Sequence, residues 1–165
     1  MTTHTTFDSP LGPVVAVARD GALARLLLDG TRRPPEPDRL GARDDAGLAA
    51  VRAQLEEYFA GERQTFDLEL RPAGSAFQRR VWDGLRRIPF GETWSYGELA
   101  AEVGLDPRTA SRAVGAANGA NPIAIVVPCH RVIGADGSLV GFAAGVERKR
   151  WLLDHEAALA ATRLF

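Results

Sequence analysis

SYGELAAEVGLDPRTASRAVGAANGA, residues 95–120, decides the architecture of the second half of the chain. Ser95 with Glu98 three residues on is a capping box, so a helix starts near Ser95 and runs through Leu99, Ala100 and Val103. Gly104-Leu105-Asp106-Pro107 reads as a turn, and a further helix is expected over Thr109–Asn118. Two short helices joined in this way resemble a helix-turn-helix. The second of them is thin: after Arg112 come Ala113, Val114, Gly115, Ala116, Ala117, Asn118, Gly119 and Ala120. Glycine costs about 1 kcal/mol relative to alanine in a helix interior, so such a stretch needs a reason. Close packing against another element is one. Entry into a narrow space is the other. The minor groove of B-DNA is only about 6 Å wide, against about 12 Å for the major groove. A helix faced with Ala and Gly can approach it closely, with Arg112 as the projecting probe.

Working outward, Ser75 reads as the N-cap of a helix with Phe77, Val81, Trp82, Leu85 and Ile88 on one stripe, ended by Pro89-Phe90-Gly91. Arg71-Pro72-Ala73-Gly74 looks like a linker, which divides the chain into lobes 1–72 and 73–165. In the first lobe, Val14, Val15 and Val17 and then Leu23, Leu26, Leu27 and Leu28 flank Asp20-Gly21, a hairpin signal. Residues 29–43, with Pro34, Pro35, Pro37 and Gly41, read as a loop. Leu48, Val51, Leu55, Tyr58 and Phe59 predict a helix over Asp44–Ala60, stopped by Gly61. Phe66, Leu68 and Leu70 alternate with acidic residues as a half-buried strand does. In the second lobe, Ile123–Val127 is a continuous apolar run that predicts a buried strand leading into Pro128-Cys129-His130-Arg131-Val132. The last helix is expected over Glu147–Ala161. The fold class is therefore an α/β first lobe, a small sheet plus helix, followed by a mainly α second lobe.

At 165 residues, with 45% hydrophobic and 25% charged side chains, the composition is that of a globular protein. No apolar run approaches the roughly 20 residues that span a bilayer. The N-terminus has no basic stretch followed by an apolar one, so no signal peptide is expected and the expected location is the cytoplasm. The net charge of −1 splits into −3 over residues 1–74 and +2 over residues 75–165. That balance excludes a strong global field for a polyanion; any DNA binding has to rest on locally placed Arg side chains. One cysteine excludes an intramolecular disulfide. His4, His130 and His155 are scattered, so neither a zinc site nor any other metal site is expected.

A lone cysteine is more often an inert buried residue than a nucleophile. The surroundings of Cys129 argue otherwise. A free thiol titrates near 8.5 and attacks as the thiolate, and His130 beside it offers a proton acceptor, directly or through one water. A histidine base needs an orienting carboxylate; Glu156 and Asp154 on the last helix both qualify. Asn121-Pro122 looks like a turn brace able to hydrogen-bond the backbone or the thiolate.

Several ordered stretches resemble the methylated-DNA–protein-cysteine methyltransferase (O6-alkylguanine-DNA alkyltransferase) family. They are Phe77-Gln78-Arg79-Arg80-Val81-Trp82, Ile88-Pro89-Phe90-Gly91-Glu92-Thr93 and Ser95-Tyr96-Gly97-Glu98-Leu99-Ala100. With them go Arg112 to Asn118, Asn121-Pro122-Ile123, Val127 to Gly134 and Arg148-Lys149-Arg150-Trp151-Leu152-Leu153. The resemblance covers essentially all of 75–157, and Ser9-Pro10-Leu11-Gly12 fits the family's N-terminal lobe. It implies a ribonuclease-H-like first lobe and a winged-helix-like second lobe. The function implied is repair by direct reversal. An alkyl group passes irreversibly from O6-alkylguanine in double-stranded DNA to Cys129, one per protein molecule, with O4-methylthymine as a further candidate substrate. No cofactor is implied, and the implied form is a monomer, with cooperative binding along DNA left open.

The resemblance also implies roles. Cys129 is the acceptor, His130 its base, Glu156 the orienting carboxylate and Asn121 the support of the turn. Arg112 enters the stack from the minor groove, and Tyr96 crowds the target phosphate and promotes outward rotation of the nucleotide. Ala113, Gly115, Ala116, Asn118 and Arg131 are expected at the DNA. Val132, Phe142, Ala143 and Ala144 are expected to line the pocket. Phe142 stands where many members have Tyr, and Ala144 where Gly is common, which predicts poorer handling of bulky O6 groups than of methyl. The 104–111 turn is also about two residues longer than usual. A thiol hydrolase is the rival enzyme, but no oxyanion hole is evident. A major-groove regulator would need base-reading side chains that 113–120 lacks.

Overall fold

The computed structural model describes residues 1–31, 35–139 and 141–162, with Thr162 described by its backbone alone. The Pro34 end of the expected 29–43 loop lies outside the described residues. The chain divides into two units, Met1–Ala73 with Pro122–Ala124, and Gly74–Asn121 with Ile125–Phe165.

The first unit is built on a four-stranded sheet in the order β3-β2-β1-β4. β1 (Thr2–Phe7) pairs antiparallel with β2 (Val14–Arg19), and β2 antiparallel with β3 (Ala22–Leu28). The β2–β3 turn is Asp20-Gly21 with φ of 49° and 84°, the two positive angles that make a two-residue hairpin follow the twist of its strands. β1 is absent from the sequence reading because TTHTTF shows polar residues at nearly every position. Its membership comes from pairing along β2 rather than from an apolar face. β4 (Ala42–Arg43) adds parallel to β1. Gly41 precedes it at φ 70°, where a Cβ would stand 1.8 Å from the Thr2 carbonyl oxygen.

α1 (Ala49–Phe59) is shorter than the expected 44–60. Asp44 Oδ1 instead accepts from the Gly47 amide at 2.9 Å, a side-chain turn that competes with the first helical turn. Val51, Leu55 and Tyr58 are its buried residues, and Gly61 at φ 81° follows its end. The expected strand at 66–70 forms no ladder. It contributes a single bridge, Leu70 to Leu23, with the Leu23 amide donating to the Glu69 carbonyl at 2.9 Å.

In the second unit, α2 (Ala76–Leu85) and α3 (Tyr96–Glu102) both begin with complete capping boxes, Ser75 with Gln78 and Ser95 with Glu98. β5 (Trp94–Ser95) pairs parallel with β6 (Val132–Ile133). α4 (Pro107–Gly119) starts two residues before the expected Thr109, since Asp106 caps it and Pro107 occupies its first turn. The Trp82 indole donates to the Ala117 carbonyl at 2.8 Å in the core. Gly84 of α2 lies under Val103, whose Cγ1 would be 2.4 Å from a Cβ there. α5 spans Val146–Thr162.

The buried strand expected over Ile123–Val127 is a correction. Ile123 makes one bridge, to Leu26, and the Leu26 amide donates to the Pro122 carbonyl. The chain then turns at Ile125, whose φ is +70°. A β-branched residue adopts that region only under constraint, at a cost on the order of 1–3 kcal/mol; Ile125 is buried on all sides. An apolar run reports burial, and burial alone does not distinguish a strand from a packed irregular segment.

Candidate active site

Cys129 stands on a tight turn, and the segment leading into it is irregular where a strand was expected. Pro128 has φ −81° and ψ 63°, the inverse γ conformation, and the Cys129 amide donates back to the Val127 carbonyl at 2.8 Å. Asn121 Nδ2 donates to the same carbonyl at 2.8 Å and its side chain also hydrogen-bonds the thiol. Residues Cys129–Arg131 continue as one turn of 3-10 helix and enter β6. Two successive prolyl-anchored turns with a side-chain brace hold the sulfur on a stiff mount.

Burial pushes the Cys129 thiol above the usual thiol range; the Asn121 hydrogen bond and the Lys149 ammonium pull against it. Lys149, the only lysine in the chain, is buried and its Nζ donates to the Val132 carbonyl at 2.5 Å. Burial lowers its own pKa, and the Cys129 charge raises it. Sequence reasoning missed Lys149 because it lies inside an Arg-Lys-Arg run that reads as a solvated face. The signal available was its place on α5, seven residues before Glu156.

His130 is completely buried. Burial lowers its pKa, while the hydrogen bond and charge of Glu156 act in the opposite direction. Its Nε2 lies 2.7 Å from Glu156 Oε2. Asp154, the other carboxylate considered, is exposed. Burial alone would raise the Glu156 carboxyl, but the hydrogen bonds from His130 and Arg131 prevail and hold it well below the usual carboxylate range. With Glu156 ionised, Nε2 carries the proton and Nδ1 presents a lone pair. Nδ1 has no hydrogen-bond partner within the described residues.

Arg131 is a correction. Expected at the DNA, it is buried, with Nε 2.8 Å from Glu156 Oε1, Nη2 3.1 Å from Oε2, and Nη1 donating to the Ile88 carbonyl at 2.7 Å. Its guanidinium also lies 5.6 Å from the Phe90 ring centroid. A forked pair of this kind fixes the carboxylate in plane. Arg131 thus positions Glu156 and has no surface to offer a phosphate. Asn118 is the second correction: it is buried and sits off the open face of α4.

The other expected DNA residues are on that face. Arg112, Ala113 and Ala116 are exposed and Gly115 is half-buried. Internal packing does not demand the glycines there. A Cβ at Gly115 would meet the Tyr96 ring at 3.6 Å, and one at Gly119 would meet the Gly141 carbonyl at 4.0 Å, both ordinary contacts. The contrast with Gly84 is direct. Tyr96, half-buried at the start of α3, has its pKa raised by burial and then by the charge of Cys129. Its hydroxyl lies 2.9 Å from where a Cβ on Gly141 would stand.

The expected pocket residues follow on the loop after β6. Phe142 and Ala144 are buried, Ala143 is half-buried, and Gly145 closes a turn onto the Phe142 carbonyl at φ 96°. Arg148 donates to the Ala144 carbonyl at 3.3 Å. Val132, also expected there, is buried, and its carbonyl accepts from Lys149. The described residues thus place a braced thiol, a neutral histidine oriented by an ionised carboxylate, and a buried ammonium on one unit. That set can deliver a thiolate to an electrophilic carbon.

Residues 76–158 match the 6-O-methylguanine DNA methyltransferase DNA-binding domain, and residues 2–72 match the ribonuclease-like domain of the same proteins. A methylated-DNA–protein-cysteine methyltransferase of Mycolicibacterium paratuberculosis is 51% identical over 155 residues, covering 93% of this chain and 91% of the relative. One from Methanosarcina acetivorans is 46% identical, covering 92% and 96%. Among solved structures, the Mycobacterium tuberculosis OGT in complex with DNA superposes with a TM-score of 0.88 at 46% identity, covering 95% of this chain and 94% of that one.

Proposed function

Because the chain belongs to the methylated-DNA–protein-cysteine methyltransferase family, we propose that Cys129 accepts the alkyl group of O6-alkylguanine in duplex DNA and is consumed by the reaction. The observation that carries this reading is the braced Cys129 turn, with the adjoining His130–Glu156 pair and Lys149. The thiol proton passes to His130 Nδ1, directly or through one water. The thiolate then attacks the saturated carbon in line, an S–C bond forms and the C–O6 bond breaks. The guanine anion displaced takes up the proton that the thiol gave to His130, directly or through one water, so that guanine is restored in the strand. In-line displacement depends on alignment, which a rigid sulfur mount supplies. The thioether product has no leaving path, so each molecule repairs one lesion and no diffusible cofactor is required.

A fixed nucleophile cannot reach O6 within the stack, so the nucleotide has to rotate out, at a cost of a few kcal/mol that is smaller for a weakened pair. The open face of α4 fits the minor groove: Ala113, Gly115 and Ala116 let the helix approach, and Arg112 fills the vacated space. Tyr96 crowds the target phosphate. The finer fold labels, ribonuclease-H-like for the first unit and winged-helix-like for the second, belong to this reading, as do a monomer on DNA and a cytoplasmic location. Among the described residues no helix is long and apolar enough to cross a membrane.

The test is intact-protein mass after incubation with a duplex carrying one O6-methylguanine. The parent protein is expected to gain one methyl group and Cys129→Ser none. A methyl gain in Cys129→Ser refutes the assignment.

A further inference from the structure

β3 reads ALARLLL, and Arg25 is its one charged residue and the one that is not buried. The ladder is irregular at this place. Leu23 pairs with Ala18 and Arg25 with Val17, so Ala24 has no partner on β2 and forms a bulge. A bulge bends its strand and re-aims a side chain. Here it sets Arg25 opposite Val17, with Arg19 two residues along β2 on the same face. Diagonal neighbours of that kind lie about 7–8 Å apart, within reach of long side chains.

Both arginines line a cavity of about 210 Å³ together with Ala24, Ala73 and Pro122, all of them residues of the first unit. Ala24 and Arg25 lie between the two places where the outer edge of β3 is bridged, Leu23 to Leu70 and Leu26 to Ile123. Among the described residues, neither guanidinium has a hydrogen bond or an ion pair. Asp20, the acid next to Arg19, is taken by the N-terminal amine and Arg71. Partial burial, then the charges of Arg19 and Arg39, lower the pKa of Arg25. Acids outnumber bases 12 to 9 over residues 1–74, yet the two arginines face one cavity without a carboxylate partner. Such a pair calls for an anion.

We propose that this cavity is an oxyanion site in which Arg19 and Arg25 together hold a phosphate group. A guanidinium presents a planar fork of donors that matches two oxygens. One fork satisfies a planar carboxylate, whereas the tetrahedral oxygens of a phosphate leave acceptors for a second fork at another angle. A backbone phosphate of duplex DNA and a free phosphate compound share this chemistry. The proposal goes beyond the alkyl-transfer reading and does not rest on it, since both arginines belong to the first unit and Cys129 to the second.

The experiment compares the parent protein with Arg25→Gln and Arg19→Gln, and with Arg52→Gln as a control that removes an equal charge from the same unit outside the cavity. Melting temperature is followed in inorganic phosphate and in chloride at equal ionic strength, and affinity for undamaged duplex is followed against salt. In chloride, Arg25→Gln is expected to melt no lower than the parent, because a repulsion is removed. Phosphate is expected to raise the melting temperature of the parent and of Arg52→Gln above the chloride value. That gain is expected to vanish in Arg25→Gln and to shrink in Arg19→Gln. If the phosphate is that of the DNA backbone, duplex affinity also falls several-fold in both cavity variants, beyond any fall in Arg52→Gln, and the salt slope drops by about one per arginine. If it is a free phosphate compound, duplex affinity in the cavity variants matches that of Arg52→Gln. No phosphate-specific gain in the parent, or an equal gain in all four proteins, overturns the proposal. A lower melting temperature of Arg25→Gln in chloride with the phosphate gain intact makes Arg25 a packing residue and also overturns it.

Discussion

His130 and Glu156 are joined by a 2.7 Å hydrogen bond between Nε2 and Oε2, with both side chains withdrawn from solvent. Glu156 has a second partner in Arg131, which grips the same carboxylate through Nε and Nη2. Glu156→Gln keeps the shape but presents a donor where an acceptor is needed, and it strands the Arg131 guanidinium. Transfer is expected to slow by at least about a hundredfold, and the fold to lose on the order of 3 kcal/mol. Single-turnover transfer and urea unfolding check the two parts separately.

The same pair sets the acid limit of stability. The Glu156 carboxyl is held well below its ordinary 4.5, and burial lowers His130 below its ordinary 6.5. In both windows the unfolded chain binds more protons than the folded one, so stability rises with pH there. The melting temperature is expected to hold above pH 7, to decline as pH falls below about 6.5, and to decline more steeply below about 4.5. Glu156→Gln is expected to make the lower limb shallower and to leave the upper one in place. A melting temperature independent of pH between 4 and 7 contradicts the assignment.

Lys149 supplies the one buried positive charge that acts on Cys129 among the described residues. Lys149→Met fills similar volume without that charge, so the thiol is expected to titrate at still higher pH. The midpoint of iodoacetamide reactivity at Cys129, followed against pH, reads this directly. Transfer at neutral pH is expected to fall and to recover in part as pH is raised. A midpoint that stays put or moves down removes Lys149 from the account.

Two glycines give opposite expectations. Gly84→Ala forces a Cβ to within 2.4 Å of Val103 Cγ1 and is expected to destabilise by about 1–3 kcal/mol while leaving DNA affinity unchanged. Gly115→Leu meets no tight contact at its Cβ and is expected to leave stability within about 1 kcal/mol. It should weaken duplex binding, because the added side chain projects toward the minor groove. Thermal melts and fluorescence anisotropy with undamaged duplex distinguish the two.

The sequence made the helices legible where local chemistry is complete. The Ser75 N-cap and the Ser95 capping box mark the helix starts, and Asp20-Gly21 marks the hairpin. It was silent on β1, whose residues are largely polar, and misleading over 123–127, where burial imitates a strand until Ile125 turns. At the candidate site, adjacency alone brings Cys129 and His130 to attention. The choice between Glu156 and Asp154 needed the face of α5, which three-dimensional packing decides. Arg131 and Asn118 looked like DNA contacts because Arg and Asn are ordinary at nucleic-acid surfaces; both side chains turn inward. Lys149 was hidden among arginines because charge runs usually face water.

The central claim is that Cys129 is the acceptor and is used once. The most direct measurement titrates a fixed amount of protein with excess duplex carrying O6-methylguanine, counting repaired guanines and mapping the methyl group by peptide mass. The account predicts a plateau at one repaired base per protein molecule, with the methyl on the peptide containing Cys129. Continued repair beyond that plateau, or a plateau with Cys129 unmodified, contradicts it.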